Sequence, residues 1–402
     1  VLANQDHVIV VGAGLAGWRL VEALRQEGYA GKISLVGAEE SAPYDRPPLS
    51  KQVLAGKWPI EQILLANQEK LAVAQVETYF GNPAVALDSE HKTVTLRSGK
   101  VLAGTHIAIA TGVGARELPF SGSGAMYVLR TKEDTLELLE AIERLDEGDQ
   151  VVVIGAGFIG AEVATTLHSR GIKVVVLEAA LRPLQGPLGE TVATWLEAIP
   201  AEFGVEVRTS QKISDVSENG DEVILESGSL AAAMVIGAVG SSLDLAWLAD
   251  SAVPIDGGVV VDENFEGMPN IGAIGDVAKF PLRVAGQIEL VRIEHWQMAA
   301  EQAVSLAKYW VTGQTAAPLI PYFWSDQYGK KIQMLGHPAP SDAAHLVNGS
   351  IEDGKWLALY ERNGFITGVV ALSQPRALMV SRPLLERLTK LADALVLAPW
   401  NS

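Results

Sequence analysis

Short apolar runs, each closed by glycine and followed by apolar positions at helical spacing, recur along the chain and organise it. Val8 to Val11 is such a run. Its lack of alternation with polar positions suits a strand buried on both faces of a parallel sheet. Beyond Gly12 the apolar positions Leu20, Leu24 and their neighbours return at the helical period, and Lys32 to Val36 reads as a second strand, so the stretch predicts a βαβ unit. The same order returns at Val151 to Ile154, with a helix after it and a further strand ending at Glu178. "HIAIATG", ending in Thr111-Gly112, reads as a strand and turn marking a crossing between domains, with the crossing back near Gly240. The most apolar stretch, Leu230 to Val239, is too short to span a bilayer.

Chemistry enters through the glycines. Gly12, Gly14 and Gly17 form G-x-G-x-x-G, and Gly155, Gly157 and Gly160 repeat it. The first glycine of each set permits a tight turn, the second lets backbone approach a pyrophosphate, and the third lets helix pack on strand. The helix N-terminus then offers free N–H groups to the phosphates. An acid at the end of the second strand takes a ribose hydroxyl; here Glu39 is the candidate in the first unit, because Ala38 directly follows Gly37, and Glu178 in the second. An acid at Glu178 favours NADH, since it repels the 2′-phosphate of NADPH. Two such units in one chain suggest FAD plus a nicotinamide.

Composition narrows the class. With 402 residues, 48% apolar and 20% charged, the chain predicts two or three folded domains. Its Cys count is 0, which excludes disulfides, iron–sulfur clusters and catalytic thiols held by this chain. The formal net charge of −17, spread without long blocks, argues against a nucleic-acid partner. The polar start with no signal-like run predicts a cytoplasmic protein with no membrane association. Asn348-Gly349-Ser350 reads as a turn.

Two further motifs carry charge. In "YDRPPLSK", Pro47 and Pro48 fix φ and bias Arg46 away from the α region, which predicts a stiff span crossing open ground with Arg46 and Lys51 on it; a solvated surface loop is the plain alternative. In "MPNIGAIGDVAKF", Asp276 at a strand-to-helix junction suits either a polyol contact or an ordinary N-cap.

Taken in order, "VGAGLAG", "YDRPPLSK", "ATG", "LRT", "GAGFIGAE", "IGAIGD", "RIEHW" and "FWSDQ" resemble the putidaredoxin-reductase-like, oxygenase-coupled NADH-dependent ferredoxin reductases through nearly the whole chain. The resemblance implies FAD, NADH and a [2Fe–2S] ferredoxin that passes single electrons to a P450 or Rieske-type oxygenase. It places Arg46 and Lys51 beside the flavin, where cations favour the reduced form, with Glu162 as the partner of Lys51. Alone, Glu162 is also what a helix dipole favours in a first turn. The resemblance further sets Ala16 and Ala84 along the FAD nucleotide, Arg130 against FAD, Trp296 and Trp324 near the isoalloxazine, and Glu294 on the nicotinamide side. Ala38 departs from the acid common in relatives, and near Arg182 a second arginine is missing.

The implied fold class is α/β, with two Rossmann-like dinucleotide-binding domains of glutathione-reductase type and a small C-terminal α+β domain. FAD is expected on residues 1–112 and 243–319, NADH on 113–242, and 320–402 forms the interface domain, with Lys330, Lys331 and Arg376 as docking cations. The alternatives are a rubredoxin reductase and an NADH-responsive flavoprotein of apoptosis-inducing-factor type with a signalling role.

Overall fold

The computed structural model describes residues 1–401. The chain divides into two compact units: Val1–Asp45, Ile63–Gly114 and Leu243–Pro321 form the first, and Arg46–Gln62, Ala115–Ser242 and the residues from Tyr322 onward form the second.

In the first unit a six-stranded sheet runs in the order Glu266–Met268, Ile271–Ala273, His106–Ile109, His7–Val11, Lys32–Val36, Val76–Tyr79. All neighbours are parallel except the first pair. His7 pairs with Lys32 and Val11 with Val36, so the two strands of the first βαβ unit end level. Ile9, Ile33, Leu35 and Ile107 are fully buried, each worth about 1.5–3 kcal/mol relative to exposure. Helix Leu15–Gln26 buries Leu20, Val21 and Leu24, and it packs on helix Trp296–Thr312.

The second unit repeats the plan. Its parallel sheet runs Glu206–Arg208, Lys173–Leu177, Gln150–Ile154, Met234–Gly237, Tyr127–Val128, with Gln150 opposite Lys173. Helix Phe158–Ser169 follows the central strand. The same unit contains a five-stranded antiparallel sheet in the order Tyr322–Gln327, Lys330–Gly336, Phe365–Leu372, Lys355–Arg362, Ala343–Ser350. Leu188, Val192 and Leu196 of helix Gln185–Leu196 share a core with Ile332, Trp356, Tyr360 and Val370 of this sheet.

Three local expectations are corrected. "YDRPPLSK" does not cross open ground: none of its residues is exposed, and Pro48, in αR conformation, opens a π-helical turn over Leu49–Val53. Val53 N–H and Leu54 N–H donate five residues back, to Pro48 O and Leu49 O. Proline lacks an N–H and has a helical φ, so it is tolerated at the start of a helical turn as readily as in an extended span. Asp276 does not stand at a strand-to-helix junction; it lies in the single 3-10 turn Gly275–Val277, which leads into strand Ala278–Val284. Asn348, Gly349 and Ser350 end strand Ala343–Ser350, just past a bulge at Leu346–Asn348, with Gly349 at φ 76°, and the turn comes after them.

Candidate functional site

Both glycine-rich segments fold into the same device. A methyl on Gly12, whose φ is +122°, would lie 2.0 Å from the carbonyl oxygen of Ala110, and one on Gly17 would lie 1.9 Å from that of Gly12. In the second unit a methyl on Gly155 would lie 2.5 Å from the oxygen of Ala238, and one on Gly160 2.0 Å from that of Gly155. Gly14 and Gly157, by contrast, have nothing within 4 Å of that position. Each is the N-cap of its helix, Leu15–Gln26 or Phe158–Ser169, with no side-chain cap. The outer glycines therefore close the turn against sheet and helix, while the middle one leaves backbone and helix N-terminus open to a phosphate. Both cradles fit a dinucleotide.

The acids differ. Glu178 is half-buried, and its Oε2 accepts from Ala156 N–H at 2.7 Å while Oε1 accepts from Ala180 N–H at 2.8 Å. Each oxygen keeps a lone pair for a ribose hydroxyl. Glu39 Oε2 instead accepts from the hydroxyl of Tyr44. Arg182 is drawn to Glu197 at 2.8 Å and Glu190 at 3.4 Å.

Around the first cradle, Ala16 is buried on the helix, and a methyl on Gly275 (φ +76°) would lie 3.0 Å from its Cβ, so "VGAGLAG" and "IGAIGD" meet. Gly275 N–H donates to Oε1 of the fully buried Gln302 at 2.6 Å. Arg292 Nη1 donates to Asp276 O at 2.9 Å and to Glu294 Oε1 at 2.6 Å, which ties two predicted residues through one guanidinium. Trp296 opens helix Trp296–Thr312, and its indole N–H donates to Asp45 Oδ1 at 2.6 Å. "RIEHW" and Asp45 thus come together within the first unit. Ala84 begins strand Ala84–Asp88 of a separate three-stranded sheet, and Gly112 takes φ +66° after Thr111.

In the second unit Lys51 Nζ lies 2.6 Å from Glu162 Oε2, and also donates to Pro47 O at 3.2 Å. The first-turn expectation for Glu162 is corrected: it is the fifth residue of helix Phe158–Ser169, beyond the first turn, and it is 3% exposed, so buried donors rather than the helix end hold it. Ser50 Oγ donates to the same Oε2 at 2.6 Å, and Ser325 Oγ donates to Oε1 at 2.7 Å. Arg46 Nη1 donates to the carbonyl of Arg130. That residue's own N–H and the next, Thr131 N–H, both donate to Asp134 Oδ2, in the capping box that starts helix Lys132–Ile142. Trp324 stacks on Tyr322 with ring centroids 5.9 Å apart. Gly240 takes φ +98° and its carbonyl accepts from Arg116 N–H. Of the docking cations, Arg376 is exposed, Lys331 Nζ lies 3.7 Å from Asp326, and a methyl on Gly354 would lie 2.5 Å from Lys330 Nζ.

Sequence reasoning missed Tyr44, Asp45, Ser50, Gln302 and Ser325. Tyr44, Asp45, Ser50 and Ser325 stood inside quoted motifs; Gln302 had the signal of an amide on a helix face that is otherwise apolar but for Ser305.

The pyridine nucleotide-disulphide oxidoreductase family model matches residues 6–303, and the reductase C-terminal family matches 322–400. Rhodocoxin reductase of Rhodococcus erythropolis is 33% identical over 94% of this chain and 89% of its own. The ferredoxin–NAD(+) reductase subunit of the benzene 1,2-dioxygenase system of Pseudomonas putida is 33% identical over 95% and 92%. The solved covalent putidaredoxin reductase–putidaredoxin complex superposes with a TM-score of 0.91 at 28% identity, covering 100% of both chains.

Proposed function

This chain belongs to the pyridine nucleotide-disulphide oxidoreductase family, and we propose that within it the chain is an FAD-containing reductase that takes hydride from NADH and passes single electrons to a [2Fe–2S] ferredoxin serving a P450 or Rieske-type oxygenase. The observation that carries this reading is the pair of open glycine cradles in a chain with 0 Cys. The chain carries two dinucleotide cradles and no thiol to relay electrons, so the disulfide chemistry of the wider family has no residue to run on. The rubredoxin and signalling alternatives are not favoured, given 33% and 32% identity over nearly the whole chain to reductases named for the benzene and chlorobenzene dioxygenases.

Under this reading the first cradle, Gly12, Gly14, Ala16 and Gly17, holds the FAD pyrophosphate, with Glu39, Ala84, Thr111, Gly112, Asp276 and Trp296 along the rest of the molecule. Gly155, Gly157 and Gly160 hold the NADH pyrophosphate, while Glu178 takes the ribose hydroxyls and repels a 2′-phosphate. Arg46, Lys51, Arg130, Gly240, Glu294 and Trp324 border the flavin and nicotinamide rings. Bound FAD supplies the conversion of a two-electron hydride into single electrons. Lys51 contributes a cation that stabilises negative charge on the reduced cofactor, and Glu162 keeps that cation in place. Residues 1–112 and 243–319 serve FAD, 113–242 serve NADH, and 320–402 meet the ferredoxin through Lys330, Lys331 and Arg376. The reading puts the protein in the cytoplasm, where NADH is supplied; among the described residues no helix is long and apolar enough to cross a membrane.

The test is electron transfer by purified holoprotein. NADH is expected to bleach the flavin much faster than NADPH, and reduction of a cognate [2Fe–2S] ferredoxin to outpace reduction of oxygen. Reversing Lys330 and Lys331 to Glu together is expected to slow ferredoxin reduction and leave ferricyanide turnover at the parent rate. Preference for a rubredoxin, or no ferredoxin reduction at all, overturns the assignment.

A further inference from the structure

Glu162 receives three side-chain donors from two stretches far apart in sequence: Lys51 and Ser50 on one oxygen, and Ser325 on the other. Ser325 is fully buried in strand Tyr322–Gln327, and its single hydroxyl proton has one direction to take. Gln327, 4% exposed, donates its Nε2 to Ser325 Oγ at 3.0 Å, which occupies an acceptor site and turns the O–H toward Glu162 Oε1. We infer that Ser325, set by Gln327, is a positioning residue for the Lys51 ammonium: it fixes the Glu162 carboxylate plane, and through it where the cation stands. The inference rests on the role given to Lys51 above.

A buried carboxylate held on one oxygen only would rotate about its last torsion, since such sp³–sp² torsions are broad. Lys51 and Ser50 share Oε2, so both bonds follow any such rotation. Ser325 pins the opposite oxygen. It also makes the antiparallel sheet of residues 322–372 part of the frame for Lys51, because Ser325 pairs with Ile332 at the centre of a ladder. Tyr328 N–H donates to Thr165 Oγ1 at 2.8 Å, and Thr166 Oγ1 to Ser50 O at 2.7 Å, so the strand end, the helix and the π-helical turn are tied by separate bonds. These flanking bonds hold the segments together without Ser325, which is why its removal tests position apart from fold.

Holoprotein variants Lys51→Met, Ser325→Ala and Gln327→Met are compared by flavin midpoint potential, by stopped-flow flavin reduction at saturating NADH, and by NADH affinity. Ser325→Ala is expected to move the potential in the same direction as Lys51→Met and to slow reduction about tenfold, the usual scale for losing a hydrogen bond to a charged group, with NADH affinity unchanged. Gln327→Met is expected to do the same more weakly, and Ser325→Ala to add nothing in the Lys51→Met background. A Ser325→Ala protein that melts earlier while keeping the parent potential and rate overturns the inference, as does an additive double variant. If Lys51→Met itself leaves the potential at the parent value, the reading of Lys51 falls and takes this inference with it; if only the Ser325 and Gln327 variants are silent, the inference falls alone.

Discussion

In the first unit the residue after strand Lys32–Val36 is Gly37, on which a methyl would lie 2.9 Å from the Cβ of Ala13; in the second, the residue after Lys173–Leu177 is Glu178, whose carboxylate takes the N–H of Ala156. Ala13 and Ala156 occupy the same place in their glycine loops. One loop approaches the strand end so closely that only glycine fits, and the other leaves a gap that a carboxylate fills. The acid of the first unit is accordingly displaced to Glu39 and is held by the Tyr44 hydroxyl. A backbone N–H on a closed turn is a more rigid donor than a tyrosine hydroxyl on a loop. The contrast teaches that the acid of a dinucleotide site is set by the loop packed against it as much as by the strand that carries it.

The largest effects separate the glycines within each cradle. Gly17→Ala and Gly160→Ala drive a methyl into a carbonyl oxygen and are expected to cost about 3 kcal/mol or more, as an early thermal transition. Gly14→Ala and Gly157→Ala meet open space at φ −86° and −75°, and are expected to keep stability within about 0.5 kcal/mol. They should nonetheless lose affinity, Gly14→Ala for FAD and Gly157→Ala for NADH. A Gly157→Ala protein that reacts with NADH like the parent would break the equivalence of the two cradles.

A smaller effect sharpens the difference between the acids. Glu178→Gln keeps the shape but weakens two N–H bonds to a charge, and should lower kcat/KM for NADH about 30-fold, roughly 2 kcal/mol, while narrowing the preference over NADPH. Glu39→Gln is expected to raise the FAD dissociation constant only a few-fold, about 1 kcal/mol. Equal losses would show that the loop contact does not distinguish them.

The last effect separates the units by pH. Burial pushes the His106 imidazole down to about 4, and it lowers His7 as well, both in the first unit. A histidine whose folded pKa is depressed contributes stability above its unfolded value near 6.5, lost as pH falls toward the folded value. In the second unit Asp342, buried yet held down by Arg362, Thr367 and Ala339 N–H, loses its contribution only below the ordinary carboxylate range. Between pH 6.5 and 4 the first unit should weaken progressively, and flavin fluorescence should appear before the second unit melts. His106→Gln should flatten that limb.

The cradles were legible because their signal is local: three glycines at fixed spacing after an apolar run, in Gly12 to Gly17 and again in Gly155 to Gly160. The pair Lys51–Glu162 was reachable only through the family resemblance, since 111 positions separate them. Ser325 and Asp45 were not legible as site residues. Their partners lie 163 and 251 positions away, and a serine in a strand or an aspartate before a proline segment looks the same whether or not such a partner exists. The π-helical turn after Pro48 escaped because prolines start helical turns and extended spans alike, and only the burial of Leu49 and Val53 decides between them.

The peptide group joining Arg130 to Thr131 is gripped from both ends, its carbonyl by Arg46 and its N–H by Asp134. A peptide plane does not twist easily, so a group pulled at its oxygen carries the pull to its hydrogen. The amide hydrogen of Thr131 is therefore a local gauge of the Arg46 guanidinium, and its exchange with solvent deuterium follows whether that arginine is seated. Arg46 and the first turn of helix Lys132–Ile142 are expected to open to solvent as one unit, although 84 positions lie between Arg46 and the carbonyl it holds.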